Sequence, residues 1–198
     1  MLKVALTGGI ATGKSHVLDR FRSRGMPCLD ADTLAHGVMA AGTEATQAIA
    51  ARFGPGVIAA DGSVDRTQLG PIVFADPQTR RELEALVHPA VYRAITAGLR
   101  AFELLGGSPL AIVDVPLLYE SGYQSGFDRV IVTACPVETQ IRRLAARGLT
   151  DEDARQRIAA QWPTGEKASQ ADFVIRTDGT FEETDRQVED VLRELRRV

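Results

Sequence analysis

The sequence is poor in several features that mark whole classes of proteins. Its two cysteines, Cys28 and Cys135, lie far apart without a C-x-x-C pair or a nearby histidine pair, which suggests neither a disulfide framework nor a zinc site. No apolar run approaches the roughly 20 residues that a membrane-spanning helix needs, and the N-terminus shows no signal peptide. We therefore expect a cytoplasmic protein with reduced cysteines and no membrane partner.

Positive charge is also limited. The formal net charge is −3 at pH 7, which gives the chain no overall attraction for nucleic acid or for an acidic membrane surface. Lysine occurs only at Lys3, Lys14 and Lys167, and arginine supplies the other cationic side chains. An anionic ligand must therefore be met by local positive charge, which makes the position of Lys14 informative. We expect no nucleic-acid partner.

The remaining composition is that of a soluble globular protein, with 44% hydrophobic and 25% charged residues. Short apolar runs rich in β-branched residues alternate with longer helical patterns, which predicts an α/β fold with a parallel sheet. The predicted strands are Leu2–Thr7, Met26–Leu29, Leu110–Val115, Val130–Thr133 and Phe173–Ile175. The predicted helices are Lys14–Arg24, Thr33–Ala40, Glu44–Arg52, Asp76–Leu86, Ala90–Leu105, Val137–Arg147, Asp151–Gln161 and Phe181–Arg197, with Thr150 and Thr180 as N-caps of the last two.

The spacing of the predicted strands divides the chain into a core and two excursions. About 80 residues separate the second strand from the third, far more than a minimal crossover needs, which implies an inserted helical subdomain over 33–107. A second excursion, 137–167, lies between the fourth and fifth strands and carries five arginines. The predicted core therefore comprises 1–32, 108–136 and 168–198.

The strongest local signal is a glycine-rich loop. The segment Gly8-Gly9-Ile10-Ala11-Thr12-Gly13-Lys14-Ser15 matches the P-loop pattern G-x-x-x-x-G-K-[ST] and lies between a predicted strand and a predicted helix. Glycines let the backbone approach phosphate oxygens, and the N–H groups at the helix N-terminus surround them. In this arrangement Lys14 reaches the β- and γ-phosphates and the Ser15 hydroxyl can bind Mg²⁺. An ordinary glycine-rich turn is the alternative interpretation.

Acidic residues stand at the ends of two predicted strands. Asp30 and Asp32 follow the second strand and Asp114 ends the third, which is the edge where open α/β sheets bind ligands. On an extended segment the carboxylates of Asp30 and Asp32 point the same way. Facing a nucleotide, such an acid could accept a proton from an attacking hydroxyl or hold Mg²⁺ through water. The alternatives are that Asp32 caps a helix beginning at Thr33 and that Asp114 serves a turn.

The histidines and arginines allow a functional and a structural interpretation. His16, His36 and His88 show no ligand spacing, and such histidines are more often packed or capping residues than catalysts. The arginines of the second excursion would ordinarily form a solvated helix face. In a protein that binds a triphosphate, Arg143 and Arg147, predicted on one face of a helix, could close as a lid over a transferring phosphoryl group.

A P-loop indicates a nucleotide but leaves open a binding module, a GTPase switch, a motor and a small-molecule kinase. The guanine-specifying motif N/T-K-x-D does not occur, because the three lysines follow Leu, Gly and Glu, and D-x-x-G does not occur either. A small chain with a helical insertion after the second strand and an arginine-rich segment before the last is more typical of a nucleotide or metabolite kinase.

Motifs spread over nearly the whole chain resemble those of the dephospho-coenzyme A kinase family. They are the P-loop with Ala5-Leu6-Thr7 before it, Asp30-Ala31-Asp32 with Ala35-His36, Val87-His88-Pro89, Asp114-Val115-Pro116-Leu117-Leu118-Tyr119-Glu120, Gln140 with Arg142, Arg143 and Arg147, Arg157-Ile158-Ala159-Ala160-Gln161, and Ala171-Asp172-Phe173-Val174-Ile175. The combination is far more specific than the P-loop alone. Ala11 stands where the family usually has Gly, which adds a Cβ without removing a backbone donor, so we expect phosphate binding to survive.

The resemblance implies a three-layer α/β P-loop fold like that of the nucleoside monophosphate kinases, with a five-stranded parallel sheet, a helical insertion and a lid. It also implies ATP-dependent phosphorylation of the ribose 3′-hydroxyl of dephospho-coenzyme A with Mg²⁺, the final step of coenzyme A biosynthesis. We expect a monomer, with an oligomer as the alternative. The insertion 33–107 is expected to hold the acceptor, and 137–167 is expected to act as the lid.

The resemblance also implies roles for individual residues. The ATP-binding residues are expected to be Gly8, Gly9, Ala11, Thr12, Gly13, Lys14, Ser15 and His16, with Ser15 as the metal ligand. Substrate is expected to contact Asp32, His36, His88, Leu117 and Arg142, and the catalytic residues are expected to be Asp32 as the base, Lys14, Arg143 and Arg147. The alternatives are another P-loop metabolite kinase and a catalytically silent nucleotide-binding regulator.

Overall fold

A computed structural model describes residues 1–197 of the protein. The chain divides into two units, one formed by Met1–Asp30 with the chain from Ala101 onward, and the other by Ala31–Arg100. The first unit holds a β-sheet with its helices, and the second consists of helices and their connections. Val198, the final residue of the predicted core segment 168–198, lies outside the described residues.

The first unit is built on a five-stranded parallel sheet, which confirms the predicted fold class. Its strands are β1 (Leu2–Gly8), β2 (Cys28–Asp30), β3 (Leu110–Asp114), β4 (Arg129–Ala134) and β5 (Phe173–Arg176). Their order across the sheet is β2-β3-β1-β4-β5, with β1 at the centre. Because β1 and β3 are neighbours in parallel, Leu6 pairs with Asp114, and the P-loop begins beside the end of β3.

Helices follow the strands along the chain. Within residues 1–197 they are α1 (Lys14–Ser23), α2 (Ala31–Val38), α3 (Glu44–Phe53), α4 (Arg66–Ala75), α5 (Pro77–Leu105), α6 (Val137–Ala145), α7 (Asp151–Ala159), α8 (Thr164–Ser169) and α9 (Phe181–Leu195). The predicted N-caps are confirmed, because Thr150 accepts a hydrogen bond from the Asp153 N–H and Thr180 forms a capping box with Glu183. The short helix α8 was not predicted, since its six residues hold no apolar periodicity.

The core of the first unit lies between the sheet and helices α1 and α9. Val4 and Leu6 of β1 pack in one cluster with Phe21 of α1 and Leu192 of α9, all at most 2% exposed. Ala5 points to the opposite face of the sheet and is equally buried. Both faces of β1 are therefore covered, which explains its unbroken apolar run. Each such large side chain contributes about 1.5–3 kcal/mol on burial, so the P-loop starts from a firmly held strand.

The prediction of two helices separated at Pro89 is wrong, because the chain forms one helix there. The predicted segments Asp76–Leu86 and Ala90–Leu105 form the single helix α5, which continues through Pro89. A proline inside a helix costs about 3 kcal/mol. Buried apolar residues recur at every fourth position on both sides of it, at Val87, Val91, Ile95 and Leu99. The free energy gained by burying this stripe of side chains exceeds the cost of the proline, which includes one lost backbone hydrogen bond.

Helix α4 was not predicted either. It begins after Asp65, whose carboxylate accepts hydrogen bonds from the backbone N–H groups of Thr67 and Gln68. Pro71 lies inside the helix, which explains why the sequence pattern did not indicate one. Among residues 1–197, no helix combines the length and the apolar character that crossing a membrane requires.

Candidate active site

The P-loop joins the end of β1 to the start of α1. Gly13 adopts a positive φ of 83° immediately before α1, a conformation that glycine enters without strain. Gly8 is needed for a different reason, because a Cβ there would lie 2.6 Å from the Thr12 hydroxyl. Thr12 in turn contacts the Gly9 carbonyl at 2.8 Å and the Thr133 hydroxyl of β4 at 2.7 Å. The loop is thus closed on itself and fixed to the sheet.

Ala11 holds the loop in an unusual conformation. Its φ of 60° makes it the only non-glycine residue with positive φ in the described part of the chain. For a residue with a Cβ this left-handed conformation costs about 1–2 kcal/mol. The departure from glycine at this position therefore has a physical cost, while the backbone of the loop keeps the curvature that the motif requires.

Lys14, the first residue of α1, forms an ion pair with Asp114 at the end of β3. Its Nζ lies 2.5 and 2.6 Å from the two carboxylate oxygens of Asp114. The side chains are 16% and 7% exposed, so the pair lies at the margin of the core rather than within it. The structure thereby joins the P-loop lysine to the acidic residue that the sequence placed beside a phosphate site.

Oxygen ligands suited to Mg²⁺ occur at the same edge of the sheet. The exposed Ser15 is the second residue of α1, and Asp30 at the end of β2 pairs in register with Asp114. Hydroxyl and carboxylate oxygens are the ligands that Mg²⁺ takes, usually alongside phosphates and several waters. No cluster of three or more His, Cys, Asp or Glu side chains in residues 1–197 could enclose a metal. The Ser15 hydroxyl and the carboxylates of Asp30 and Asp114 are oxygen donors of the kind that fits Mg²⁺.

The backbone conformation at Asp32 differs from the one that each sequence interpretation assumed. Helix α2 begins at Ala31, so Asp32 is the second residue of a helix and is neither extended beside Asp30 nor the cap of a helix starting at Thr33. The side chain is exposed. A carboxylate in the first helical turn is favoured by the helix dipole. Asp32 belongs to the second unit, whereas Asp30 belongs to the first.

Arg143 of α6 is tied to the P-loop. Its Nη1 donates to the Ala11 carbonyl at 3.0 Å and to the Thr177 hydroxyl at 3.2 Å, and its Nη2 donates to the Thr177 carbonyl. The Thr177 hydroxyl also donates to the Thr12 carbonyl at 2.6 Å. Arg143 therefore connects the P-loop to the turn after β5, a role that its position in the sequence did not reveal.

Arg143 and Arg147 were predicted to lie on one face of a helix. This prediction is wrong, because Arg147 lies beyond the end of α6. Helix α6 ends at Ala145, and Arg147 lies exposed in the turn that follows, with its backbone N–H bonded to the Leu144 carbonyl. The predicted helix ran through Arg147. A helix end is located only to within one or two residues, because the turn that follows a helix keeps nearly helical geometry. Arg142 is also exposed, and its guanidinium lies 3.5 Å from the Thr139 hydroxyl.

His16 faces helix α9. Its Nε2 lies 2.8 Å from the Asp185 carboxylate, and its ring lies 4.7 Å from the ring of Phe181. The Arg20 guanidinium contacts the same carboxylate at 3.3 Å. The side chain of His16 thus binds the C-terminal helix, although the residue follows Ser15 in the P-loop region.

Two further predicted substrate residues, His36 and His88, lie in the second unit around a cavity of about 250 Å³. His88 lines this cavity, and the Nε2 of His36 contacts the Nη1 of Arg66, which also lines it. The apolar part of the wall consists of Met39, Leu69, Val73, Leu83 and Val87. Leu117 lies in the first unit, 45% exposed, and Arg142 lies there too. No pattern in the sequence indicated Arg66.

The segment 137–167 contacts the P-loop through side chains to which the sequence had assigned no role. Gln140 of α6 donates to the Ile10 carbonyl at 2.6 Å, and the Ile10 N–H donates to Gln161 at 2.8 Å. Lys167 of α8 is completely buried, with its Nζ 2.7 Å from the Glu120 carboxylate. All three contacts join residues more than 40 positions apart, so only the folded chain reveals them.

Both cysteines are free thiols, as expected. Burial raises the pKa of the Cys28 thiol to about 11. Burial also raises the pKa of the Cys135 thiol, although the nearby Arg143 guanidinium acts in the opposite direction. Both thiols are therefore protonated at neutral pH and poorly nucleophilic.

Comparison with known proteins agrees with this geometry. Residues 2–183 match the family model described as dephospho-CoA kinase. The chain is 45% identical to a dephospho-CoA kinase of Geobacillus kaustophilus over 98% of its own length and 96% of that protein. Among solved structures it is similar to TT1252 from Thermus thermophilus, with a TM-score of 0.83, 35% identity and coverage of 98% of this chain and 97% of that one.

A second solved structure carries the family name. The dephospho-CoA kinase from Campylobacter jejuni superposes with a TM-score of 0.73 at 25% identity, covering 98% of this chain and 96% of that one. The resemblance found in the sequence motifs is thereby confirmed. The chain belongs to the dephospho-CoA kinase family, the kinases that carry out the final step of coenzyme A biosynthesis from dephospho-CoA.

Proposed function

We propose that this chain transfers the γ-phosphoryl group of ATP to the ribose 3′-hydroxyl of dephospho-CoA, giving ADP and coenzyme A. The observation that carries the proposal is a P-loop at the end of the central strand, with Lys14 opening α1, in a chain of this family. Catalysis of phosphoryl transfer consists almost entirely of positioning and electrostatic stabilisation. The residues around the P-loop supply both.

The P-loop residues Gly8 to His16 would hold the triphosphate. Backbone N–H groups at the start of α1 favour anionic oxygens. On ATP binding Lys14 would exchange the Asp114 carboxylate for the β- and γ-phosphates, which its partial exposure permits. The same motion would leave the Asp114 carboxylate facing the metal site.

Mg²⁺ would be held by the Ser15 hydroxyl and the phosphates, with the Asp114 carboxylate binding its water ligands. When bound, the ion neutralises charge that develops on the β- and γ-phosphates. The chain itself contributes the Ser15 hydroxyl near the start of α1 and the Asp114 carboxylate at the end of β3.

Asp32 would take the proton of the 3′-hydroxyl. It is an exposed carboxylate that follows the carboxyl end of β2 by only two residues, and ligands of open α/β sheets bind outside such strand ends. A positioned general base typically contributes 10²–10⁴-fold, and the loose transition state of phosphoryl transfer favours about the lower end.

The second unit would bind the acceptor. Its cavity combines an apolar wall with Arg66, His88 and Glu84. Because Arg80 pairs with Glu84 at 3.5 Å, the cavity still suits a molecule that has both an alkyl chain and phosphates. His36, in contact with Arg66, would orient that guanidinium. Leu117 and Arg142, both exposed, would also contact the acceptor.

Arg143 and Arg147 would stabilise the transferring phosphoryl group, with 137–167 as the lid. Their environments assign them different parts of this task. Arg143 shapes the P-loop through Ala11 and Thr177, whereas Arg147 is exposed and can move with the turn that carries it.

We place the reaction in the cytoplasm and assign it to a monomer. The two thiols are free and no disulfide stabilises the described residues, which suits a reducing compartment. Light scattering during size-exclusion chromatography would give about 21.4 kDa for this assembly, and a mass twice as large would contradict it.

The experiment that tests the proposal is an ADP-release assay with ATP, Mg²⁺ and a panel of acceptors. We expect turnover with dephospho-CoA and background rates with adenosine and shikimate. The ³¹P spectrum of the product is expected to show the phosphate as a 3′-monoester. Turnover with shikimate or adenosine alone would contradict the assignment of the acceptor, and ATP binding without turnover would favour a regulator.

A further inference from the structure

Both backbone polar groups of one P-loop residue, Ile10, are bound by glutamine side chains. The Ile10 N–H donates to the Gln161 Oε1 at 2.8 Å, and the Ile10 carbonyl accepts from the Gln140 Nε2 at 2.6 Å. The two glutamines come from different elements, since Gln140 lies in α6 and Gln161 follows α7. Both polar atoms of a residue at the centre of the loop are therefore satisfied by the segment 137–167.

The packing around these hydrogen bonds allows little movement. Gln140 is 1% exposed. A Cβ on Gly9 would lie 2.8 Å from its Nε2 and would clash with the Thr164 hydroxyl. The backbone at Gly9 and Ile10 is thus enclosed by 137–167, whereas a P-loop needs a defined curvature to direct its other N–H groups at phosphate.

We propose that Gln140 and Gln161 are positioning residues for ATP, which act through the backbone N–H and carbonyl of Ile10 and couple the position of the segment 137–167 to the conformation of the P-loop. Neither needs to touch the nucleotide. The inference rests on the proposed binding of ATP at this loop. Ile10 is four residues before Lys14, so a rotation of either peptide group that flanks Ile10 changes the loop that leads directly to this lysine.

Gln161 accepts its hydrogen bond and Gln140 donates its own, so each bond can be tested with a different substitution. Gln161 acts as an acceptor, so Gln161→Glu keeps the bond to Ile10, while Gln161→Met keeps the size and removes it. Gln161 is only half-buried, so neither variant buries a full charge in the core. Gln140 acts as a donor, and Gln140→Met removes that bond as a second, independent variant.

The measurement is calorimetric binding of a non-hydrolysable ATP analogue with Mg²⁺, together with steady-state KM for ATP and kcat. We expect Gln161→Met and Gln140→Met each to weaken binding and raise the KM for ATP about tenfold, the effect of one lost hydrogen bond, with kcat reduced less. Gln161→Glu should stay within about twofold of the unchanged protein. The matched control is Gln156→Met on the exposed face of α7, which should change neither value.

The inference is overturned if both Met variants bind the analogue as tightly as the unchanged protein, or if Gln161→Glu is as impaired as Gln161→Met. A purely structural role would lower the unfolding temperature of the Met variants without changing ATP affinity in the folded protein, and that result also overturns it. Because the readout is ATP binding, it is independent of the acceptor. Failure of turnover with dephospho-CoA would instead contradict the proposed function.

Discussion

Two of the three lysines form ion pairs of nearly equal length in very different surroundings. The Nζ of Lys14 lies 2.5 Å from the carboxylate of Asp114, and the Nζ of Lys167 lies 2.7 Å from that of Glu120. The Lys14 side chain is 16% exposed at the start of a helix in the P-loop, whereas that of Lys167 is 0% exposed in α8. A lysine–carboxylate pair can therefore either open to bind a ligand or stay closed as part of the core.

The difference lies in what each pair loses when it opens. Lys14 can leave Asp114 without losing compensation for its charge if a phosphate replaces the carboxylate. Lys167 has no such exchange, since opening its pair would leave a fully buried ammonium without compensation. Glu120 also accepts the Trp162 N–H at 2.9 Å, which fixes the chain between α7 and α8. We therefore expect Lys14 to determine activity and Lys167 to determine stability.

The largest effect is expected from Lys14→Met. Removal of the one ammonium placed to reach the β- and γ-phosphates should lower kcat/KM by roughly 10³-fold or more. The unfolding temperature should fall less than that of Lys167→Met, because the Lys14 side chain is 16% exposed and that of Lys167 is 0% exposed. Steady-state ADP release and a thermal melt on the same sample measure both values. Activity close to that of the unchanged protein would show that the loop is not the phosphate site.

Asp32→Asn comes next and tests the base on the acceptor side. Asn keeps the size of the side chain, so we expect kcat to fall by roughly 10²–10⁴, with the lower end favoured. The affinity for ATP should be nearly unchanged, as a calorimetric titration would show. Turnover at the unchanged rate would remove Asp32 from the reaction and direct attention to Asp30 and Asp114.

Lys167→Met should behave in the opposite way to Lys14→Met. Removing one partner of a buried pair is expected to lower the free energy of unfolding by about 3–5 kcal/mol. Urea unfolding measures this value, and kcat in the folded fraction should be largely retained. The matched double variant Lys167→Met with Glu120→Gln, which keeps an acceptor for Trp162, should recover most of the loss. No recovery would show that packing of the lysine stem, and not its charge, is what stabilises α8.

The smallest effect is expected from Ala11→Gly, which tests how adjustable the loop around Lys14 is. Glycine relieves the strain at φ of 60° but loses a methyl group and gains freedom in the unfolded chain. These effects oppose each other, so the free energy of unfolding should change by less than about 1 kcal/mol. Ala11→Val is the control, since a β-branched residue at positive φ is strongly disfavoured and should be clearly destabilising. Equal stability of the two variants would contradict the strain.

The sequence predicted the elements whose signals are local. The P-loop, the five strands and the caps at Thr150 and Thr180 depend on residues within a few positions of one another. Helix α5 was predicted as two because Pro89 is a strong local signal, whereas the buried stripe that carries the helix across it belongs to the tertiary structure.

The partners of the site residues required the fold. Ile10 and Gln161 are 151 positions apart, and Lys14 and Asp114 are 100 positions apart. Motifs identified such residues individually without showing which pairs meet. Parallel strand ends bring distant acids and the P-loop together, but the register that places Asp114 beside Leu6 follows from packing of the whole sheet.

The exchange of Lys14 between Asp114 and ATP can be observed directly because the chain has so few lysines. A protein labelled with ¹³C at lysine Cε should give three resonances, assigned by replacing Lys3, Lys14 and Lys167 in turn. Addition of a non-hydrolysable ATP analogue with Mg²⁺ should shift the Lys14 resonance and leave that of Lys167 unchanged. A Lys14 resonance that stays in place at saturating nucleotide would contradict the exchange, and with it the assignment of Lys14 to the phosphates.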